Sequence, residues 1–163
     1  MNDIEYIEDG HDLEAILNLL DENEVYKDDV KDHLHNFILA MHGDKLVGSI
    51  SHMEIGKTIF LIRSLAVDRR YRRRGIATTL HDKKIALAKK RGFTRVYART
   101  LRENKRVRRF YESENFHALS PQELYEEYPL CRDCLDYPNK MRPYCKDNSK
   151  HGECPVVTYR LEI

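Results

Sequence analysis

The apolar positions along the chain switch between a period near two and a period near 3.6, and the switches mark its elements. Ile4, Tyr6 and Ile7 outline a short strand over Ile4 to Ile7. Leu13, Ile16, Leu17 and Leu20 then recur at i, i+3, i+4 and i+7, a helical face that Asp9 to Asp12 can start. A weaker helix is expected over Lys27 to His35. Phe37 to Met41 and Leu46 to His52 flank the string HGDK and read as a hairpin turning at Gly43 and Asp44. Ile55, Gly56 and Lys57 turn the chain into the apolar run Ile59 to Val67, IFLIRSLAV, interrupted by Arg63 and Ser64. Thr78 to Arg91 reads as a helix that Gly92 ends. Thr94 to Thr100, TRVYART, alternates as a strand, and Asn104 to Glu114 is helical. Phe116 to Leu119 is a short strand candidate. Val156 to Ile163, VVTYRLEI, alternates clearly and ends the sheet. Strands interleaved with helices predict an α/β fold.

Composition narrows this picture. A chain of 163 residues that is 41% hydrophobic suits one domain with a real core. No apolar run approaches the roughly 18 residues of a membrane span. The opening MNDIEYIEDG is acidic and lacks the apolar region of a signal peptide, so a cytoplasmic protein with no membrane partner is expected.

Net charge is only +1, but it is unevenly placed. Residues 69–109 hold 17 lysines and arginines against Asp82 and Glu103, while residues 1–57 hold 14 acidic residues against 4 basic ones. The basic block invites a nucleic-acid reading. Lysines along the 78–91 helix also read as a solvated face.

The densest part of that block is Val67 to Ala77, VDRRYRRRGIA, lying between a strand and a helix. The first turn of a helix carries backbone N–H groups without intrahelical partners and the positive end of the macrodipole. Strand, glycine turn and helix together form an anion cradle suited to phosphates. The arginines add charge and forked donors. The string GxxxxGK[ST] of a P-loop is absent, and of GxGxxG only Gly75 is present. What is present is RxxGxA, as Arg72, Gly75 and Ala77. A second stretch, Asn104 to Phe116, reads NKRVRRFYESENF and supplies Asn104, Val107, Phe110, Tyr111 and Phe116 in the pattern Nxx[AV]xxFYxxxxF.

The two motifs, in this order, resemble those of the GCN5-related N-acetyltransferases, the GNAT family. The likeness covers residues 36–119 and extends to the N-terminal helices. It departs at Asn115, where the family usually has glycine; asparagine also tolerates a left-handed helix end. The resemblance implies a GNAT fold: a mixed, mostly antiparallel central sheet flanked by helices. It implies acetyl-CoA as cosubstrate and direct attack by an amine of a small molecule or a protein. The cofactor would be held by backbone groups of Leu65, Ala66 and Val67, by the turn Arg72, Arg73, Arg74, Gly75, Ile76 and Ala77, and by Asn104 and Tyr111. Backbone N–H groups at the end of the central strand would polarise the thioester, and Tyr111 would protonate the departing thiolate. Some members carry a glutamate on the central strand; here Leu61, Ile62 and Arg63 stand nearby and none is acidic. Glu54 and His52, on the preceding strand, are the candidates to take the amine proton. The N-terminal helices would form the acceptor side, and the last strand often helps such proteins dimerise.

The four cysteines, Cys131, Cys134, Cys145 and Cys154, are spaced CxxC and then with ten and eight residues between, within a segment poor in apolar residues. A thiolate pair with two further thiolates can complete a tetrahedral zinc shell, and bound metal would supply folding energy that such a segment lacks. Residues 120–154 are thus expected to form a cysteine-rich, zinc-like module inserted before the last strand of a single domain spanning 1–163, with a structural role. Cysteine-bearing insertions there also occur in some members of the resembled family. His151 is a spare ligand; disulfides, a redox pair and unliganded thiols are the alternatives. Two other functions stay open. One is a zinc protein binding nucleic acid through residues 69–109. The other is a sensor that binds acetyl-CoA without catalysis.

Overall fold

The computed structural model describes residues 3–8, 12–127 and 155–163. They belong to two compact units, one running to Val96 with Ile163 added, the other Tyr97–Glu162. The architecture is α/β, with a mixed, mostly antiparallel sheet flanked by helices. Among the described residues no helix is long and apolar enough to cross a membrane.

In the first unit, β1 (Glu5–Glu8), β2 (Ile38–His42), β3 (Lys45–Ile55) and β4 (Ile59–Val67) pair antiparallel in chain order. The β2–β3 hairpin closes on Gly43 and Asp44, with Gly43 at φ 59°. Helix α1 spans Leu13–Glu22, and the Asp12 carboxylate caps it by accepting from the Ala15 N–H at 3.0 Å. Its buried Ile16, Leu19 and Leu20 pack with Val30, Phe37, Leu39, Leu46 and Ala66. The helix expected over Lys27 to His35 is instead a 3-10 helix over Val30–Asn36. Only Val30 is fully buried there, which is too little apolar anchorage for a longer amphipathic helix. Helix α2, Ile76–Lys90, lies on the other face of the sheet. Gly48 of β3 sits directly under it: a Cβ at that position would lie 2.9 Å from Ile76 Cγ2 and 3.3 Å from Leu80 Cδ1.

The second unit takes β5 (Arg95–Leu101) from Tyr97 on; β5, β7 (Val156–Glu162) and β6 (His117–Ala118) lie in that spatial order, with helix α3 over Lys105–Ser113. The strand expected over Phe116 to Leu119 shrinks to the two residues that pair with Tyr159 and Arg160. A further helix, α4 (Pro121–Glu127), occupies the start of the segment expected to be a cysteine module. It begins with a reciprocal cap: the Glu123 N–H donates to Ser120 Oγ, and the Ser120 N–H donates to Glu123 Oε2. The four cysteines and His151 lie outside the described residues.

The Gly48 contact tests whether β3 sets the height of α2 above the sheet. Gly48→Ala must push Ile76 or Leu80 aside, and should cost roughly 1–3 kcal/mol of unfolding free energy, as overpacked cores do. Chemical denaturation of the two proteins measures it.

Candidate active site

The central irregularity lies in β4. Ser49 pairs with Ala66 and Ser51 with Arg63, so the single residue Ile50 of β3 faces two residues of β4, Ser64 and Leu65. This is a β-bulge. Ser64 takes a left-handed conformation, φ 53°, which costs a residue with a Cβ about 1–3 kcal/mol. The buried Ser49 hydroxyl donates to the Ser64 carbonyl at 3.0 Å and holds the distortion in place. Beyond the bulge, the Asp68 N–H donates to the Val47 carbonyl at 2.9 Å. Hydrogen-bonded and non-bonded pairs alternate along an antiparallel ladder, so the intervening Val67 turns its N–H and C=O away from β3. Of the three strand residues expected at the thioester, Ala66 and Val67 are buried and Leu65 is half-buried.

Asp68 ends the strand and starts a 3-10 turn, Arg69–Tyr71, by accepting from the Arg70 N–H at 2.9 Å. Its carboxylate also accepts from the Arg70 guanidinium and, at 2.6 Å, from Lys45 Nζ. The Arg70 bond, with Lys45 adding to it, holds the Asp68 pKa well below the usual carboxylate range despite burial. Tyr71 is fixed by a 2.9 Å hydrogen bond between its hydroxyl and His42 Nδ1, and the Lys45 and Arg74 cations each lie 5.2 Å from its ring centre.

The turn itself alternates hand. Arg72 is extended, Arg73 is left-handed at φ 64°, and Gly75, the N-cap of α2, is left-handed at φ 76°. No side chain caps the helix at Gly75. Such alternation, running into a helix start, gathers backbone N–H groups into a concave anion site. Arg73 and Arg74 are exposed beside it, and Ala77 is half-buried. Two members of the expected set do other work with their side chains. Ile76 is buried against Gly48. Arg72 donates through Nε to the Val67 carbonyl at 3.1 Å and through Nη2 to Asn23 Oδ1 at 2.6 Å.

In the second unit, Asn104 caps α3 by accepting from the Val107 N–H at 3.3 Å. The helix ends with Asn115 left-handed at φ 65°; the Phe116 N–H reaches the Tyr111 carbonyl and the Asn115 N–H the Glu112 carbonyl. This is a Schellman motif, and the Tyr111 and Phe116 rings meet across it with centroids 5.1 Å apart. Tyr111 is buried, and its ring also faces Phe110 and Tyr159.

Glu54 stands elsewhere. It pairs with Phe60, five residues along β4 from Leu65, roughly 16 Å at strand rise. Its carboxylate is bound by Arg91, the C-cap of α2, at the far end of that helix from Gly75. His52 lies beside it, buried, stacked on Phe60 at 4.5 Å. Lys84 Nζ donates to His52 Nδ1 at 3.0 Å and to the Asn36 carbonyl at 2.6 Å. An ammonium only donates, so Nδ1 carries no proton and the ring is the neutral Nε2–H form; Nε2 lies 3.4 Å from Glu54 Oε1 without hydrogen-bond geometry. Burial first, then the Lys84 charge, push the His52 pKa down to about 4. The structure does not bring Glu54 and His52 to the bulge. Asn23 escaped the sequence reading; its only signal was its place just after the apolar helical pattern.

A family model described as acetyltransferase (GNAT) matches residues 5–116. A search of curated proteins found no match. Among solved structures, an acetyltransferase from Streptococcus agalactiae superposes with a TM-score of 0.76 at 18% identity, covering 100% of both chains. A Mycobacterium tuberculosis protein in complex with CoA gives 0.68 at 17%, over 98% of this chain and 99% of the other. A GNAT family acetyltransferase from Elizabethkingia anophelis with acetyl-CoA bound gives 0.60 at 16%, over 89% and 88%. The fold is shared with these three, the motif-bearing residues fall inside the matched segment, and the chain belongs to the acetyltransferase (GNAT) family as an acetyl-CoA-dependent N-acetyltransferase.

Proposed function

We propose that the chain transfers the acetyl group by direct attack of a neutral amine on the thioester, with its two units parts of one acetyltransferase domain. The observation that carries the reading is the bulge at Ser64 followed, within a dozen residues, by the uncapped start of α2. In this reading the Val67 N–H, turned away from β3, polarises the thioester carbonyl as it becomes tetrahedral. The alternating turn from Arg72 to Ala77 holds the pyrophosphate on backbone N–H groups, with Arg73 and Arg74 adding positive charge. Asn104 orders the loop into α3. The amine nitrogen bonds the acetyl carbon, the carbon–sulfur bond breaks, and Tyr111 gives its phenolic proton to the departing thiolate. Glu54, held by Arg91, acts as an ion-pair partner; the amine loses its proton to water, and the Tyr111 phenolate takes one back from water. The four cysteines hold one structural zinc, a reading supported by their spacing alone.

Calorimetric titration with acetyl-CoA should show one site per chain, weakened when Arg74 is replaced. Tyr111→Phe should lower kcat by about 100-fold, the usual scale of a lost general acid, with little change in acetyl-CoA affinity. Unchanged turnover at saturating substrates would remove Tyr111 from the reaction.

Zinc has its own measurement. Metal analysis of purified protein should find one zinc per chain, and four thiols should titrate only after chelation. Four freely titrating thiols with no zinc would end the metal reading.

His52 predicts a pH effect on stability rather than on the chemistry. Its folded pKa lies below the ordinary 6.5, so between about 4 and 6.5 the unfolded chain binds the extra proton. The stability it contributes is complete above pH 6.5 and is lost as pH falls toward 4, by up to roughly 3 kcal/mol. His52→Asn keeps an acceptor for Lys84 but cannot titrate. Denaturation midpoints of the variant should therefore fall less between pH 6.5 and 4, while turnover at pH 8 stays near that of the parent. An equal fall in both proteins would remove His52 as the titrating group.

A further inference from the structure

Helix α1 ends in a Schellman motif: Glu24 is left-handed at φ 56°, the Val25 N–H reaches the Leu20 carbonyl, and the Glu24 N–H reaches the Asp21 carbonyl. Asn23 is the C-cap, and it is buried. Its amide is used at both ends. Nδ2 donates to the Leu19 carbonyl at 2.8 Å, and Oδ1 accepts from Arg72 Nη2 at 2.6 Å. The same guanidinium donates through Nε to the Val67 carbonyl. One arginine thus joins three separate pieces of backbone: the end of α1, the last residue of β4 and its own place at the mouth of the turn before α2. Arg72 is a planar fork with fixed donor directions. With Nε on Val67, the position of Nη2 is set, and Asn23 Oδ1 occupies it.

We propose that Asn23 is a positioning residue for acetyl-CoA binding: it clamps the Arg72 guanidinium, and through it the spacing between the Val67 peptide and the phosphate-binding turn. This rests on the reading of that turn as the cofactor site. The consequence is that α1, on the acceptor side of the family's fold, is tied by side-chain hydrogen bonds to the element that grips the cofactor. With the clamp released, Arg72 is left with one anchor fewer. The turn then samples other conformations and the backbone cradle is occupied less of the time.

The two functions of the Asn23 amide separate by substitution. Asn23→Ala removes both bonds. Asn23→Asp keeps the oxygen that Arg72 needs but loses the donor to Leu19 and places a negative charge at the C-terminal end of a helix, where it is unfavourable. Melting temperature and the acetyl-CoA Kd by calorimetry are measured for both, with Kd also for Arg72→Lys and for Arg72→Lys combined with Asn23→Ala. If Asn23 positions Arg72, Asn23→Ala weakens acetyl-CoA at least fivefold. Asn23→Asp melts lower than the parent yet binds within twofold of it. The double variant binds no worse than Arg72→Lys alone. If Asn23 serves only to end α1, both Asn23 variants melt lower, and either both keep the parental Kd or both lose affinity alike; each result overturns the proposal. Failure of the parent protein to bind acetyl-CoA would overturn the underlying reading of the turn, and is seen before any variant is compared.

Discussion

The antiparallel pairing of β3 with β4 is the constraint from which the candidate site follows. Eight residues of β3, from Gly48 to Ile55, face the nine of β4, and the difference is one surplus residue in β4. That surplus falls at Ser64 and Leu65. A left-handed serine inside a strand is unfavourable in isolation. It persists because intact ladder lies on both sides and because Ser49, with no water available to its buried hydroxyl, satisfies itself on the Ser64 carbonyl. The bulge then resets which backbone groups face which edge. Val67 presents its peptide away from β3, and the Asp68 N–H returns to the ladder.

The same pair of strands sets where α2 begins. Gly48 lies opposite Val67 and lacks a side chain, so Ile76 and Leu80 drop close to the sheet. The turn between β4 and α2 has only eight residues, 68–75, in which to leave the sheet and enter a helix lying on it. Asp68 tightens the first half by capping a 3-10 turn and holding Arg70 and Lys45. Arg73 and Gly75 complete it with positive φ angles. Arg72 ties its middle back to β4. A phosphate site made of backbone N–H groups needs such over-determination, because a flexible turn would lose conformational entropy each time it closed on an anion.

Much of this was legible in the sequence, for reasons that differ by residue. Strong periodicity located α1, and Gly43 and Gly92 located a hairpin and a helix end, because only a few residues adopt those backbone conformations without strain. The phosphate turn was legible because charge, glycine and element order coincide there. Asn115 ending α3 was readable from its tolerance of positive φ. Other features depend on tertiary contacts that a linear pattern does not carry. Glu24 ends α1 with the same hydrogen bonds that Gly92 provides for α2, yet glutamate signals no stop. The bulge at Ser64 arises from register. Ser120 to Glu123 spells a capping box, but the helix it starts lies at the head of the segment whose cysteines point to a metal module. Glu54 looked like a base because it is acidic and near the central strand in sequence; its partner Arg91 is 37 residues away and comes into view only with the fold.

The basic block takes on a different meaning once its partners are known. A surface for nucleic acid needs cations free to meet phosphates in a row. Here Arg70 is held by Asp68, Arg91 by Glu54, and Arg72 by Asn23 and Val67. Lys84 points inward to Asn36 and His52, and Arg108 is tied to Tyr159 and the Arg102 carbonyl. These five serve different local needs, so part of the charge between residues 69 and 109 is spent on contacts within the protein. Outside the block, Arg63 answers Asp29 at 2.7 Å and lies over the Tyr26 ring, which takes up part of the acidic excess of the N-terminal segment. The exposed Arg73 and Arg74 are the cations that stand at the start of α2, where the helix dipole and the open backbone N–H groups already favour an anion. Two arginines there match a ligand of compact, high negative charge, such as a pyrophosphate.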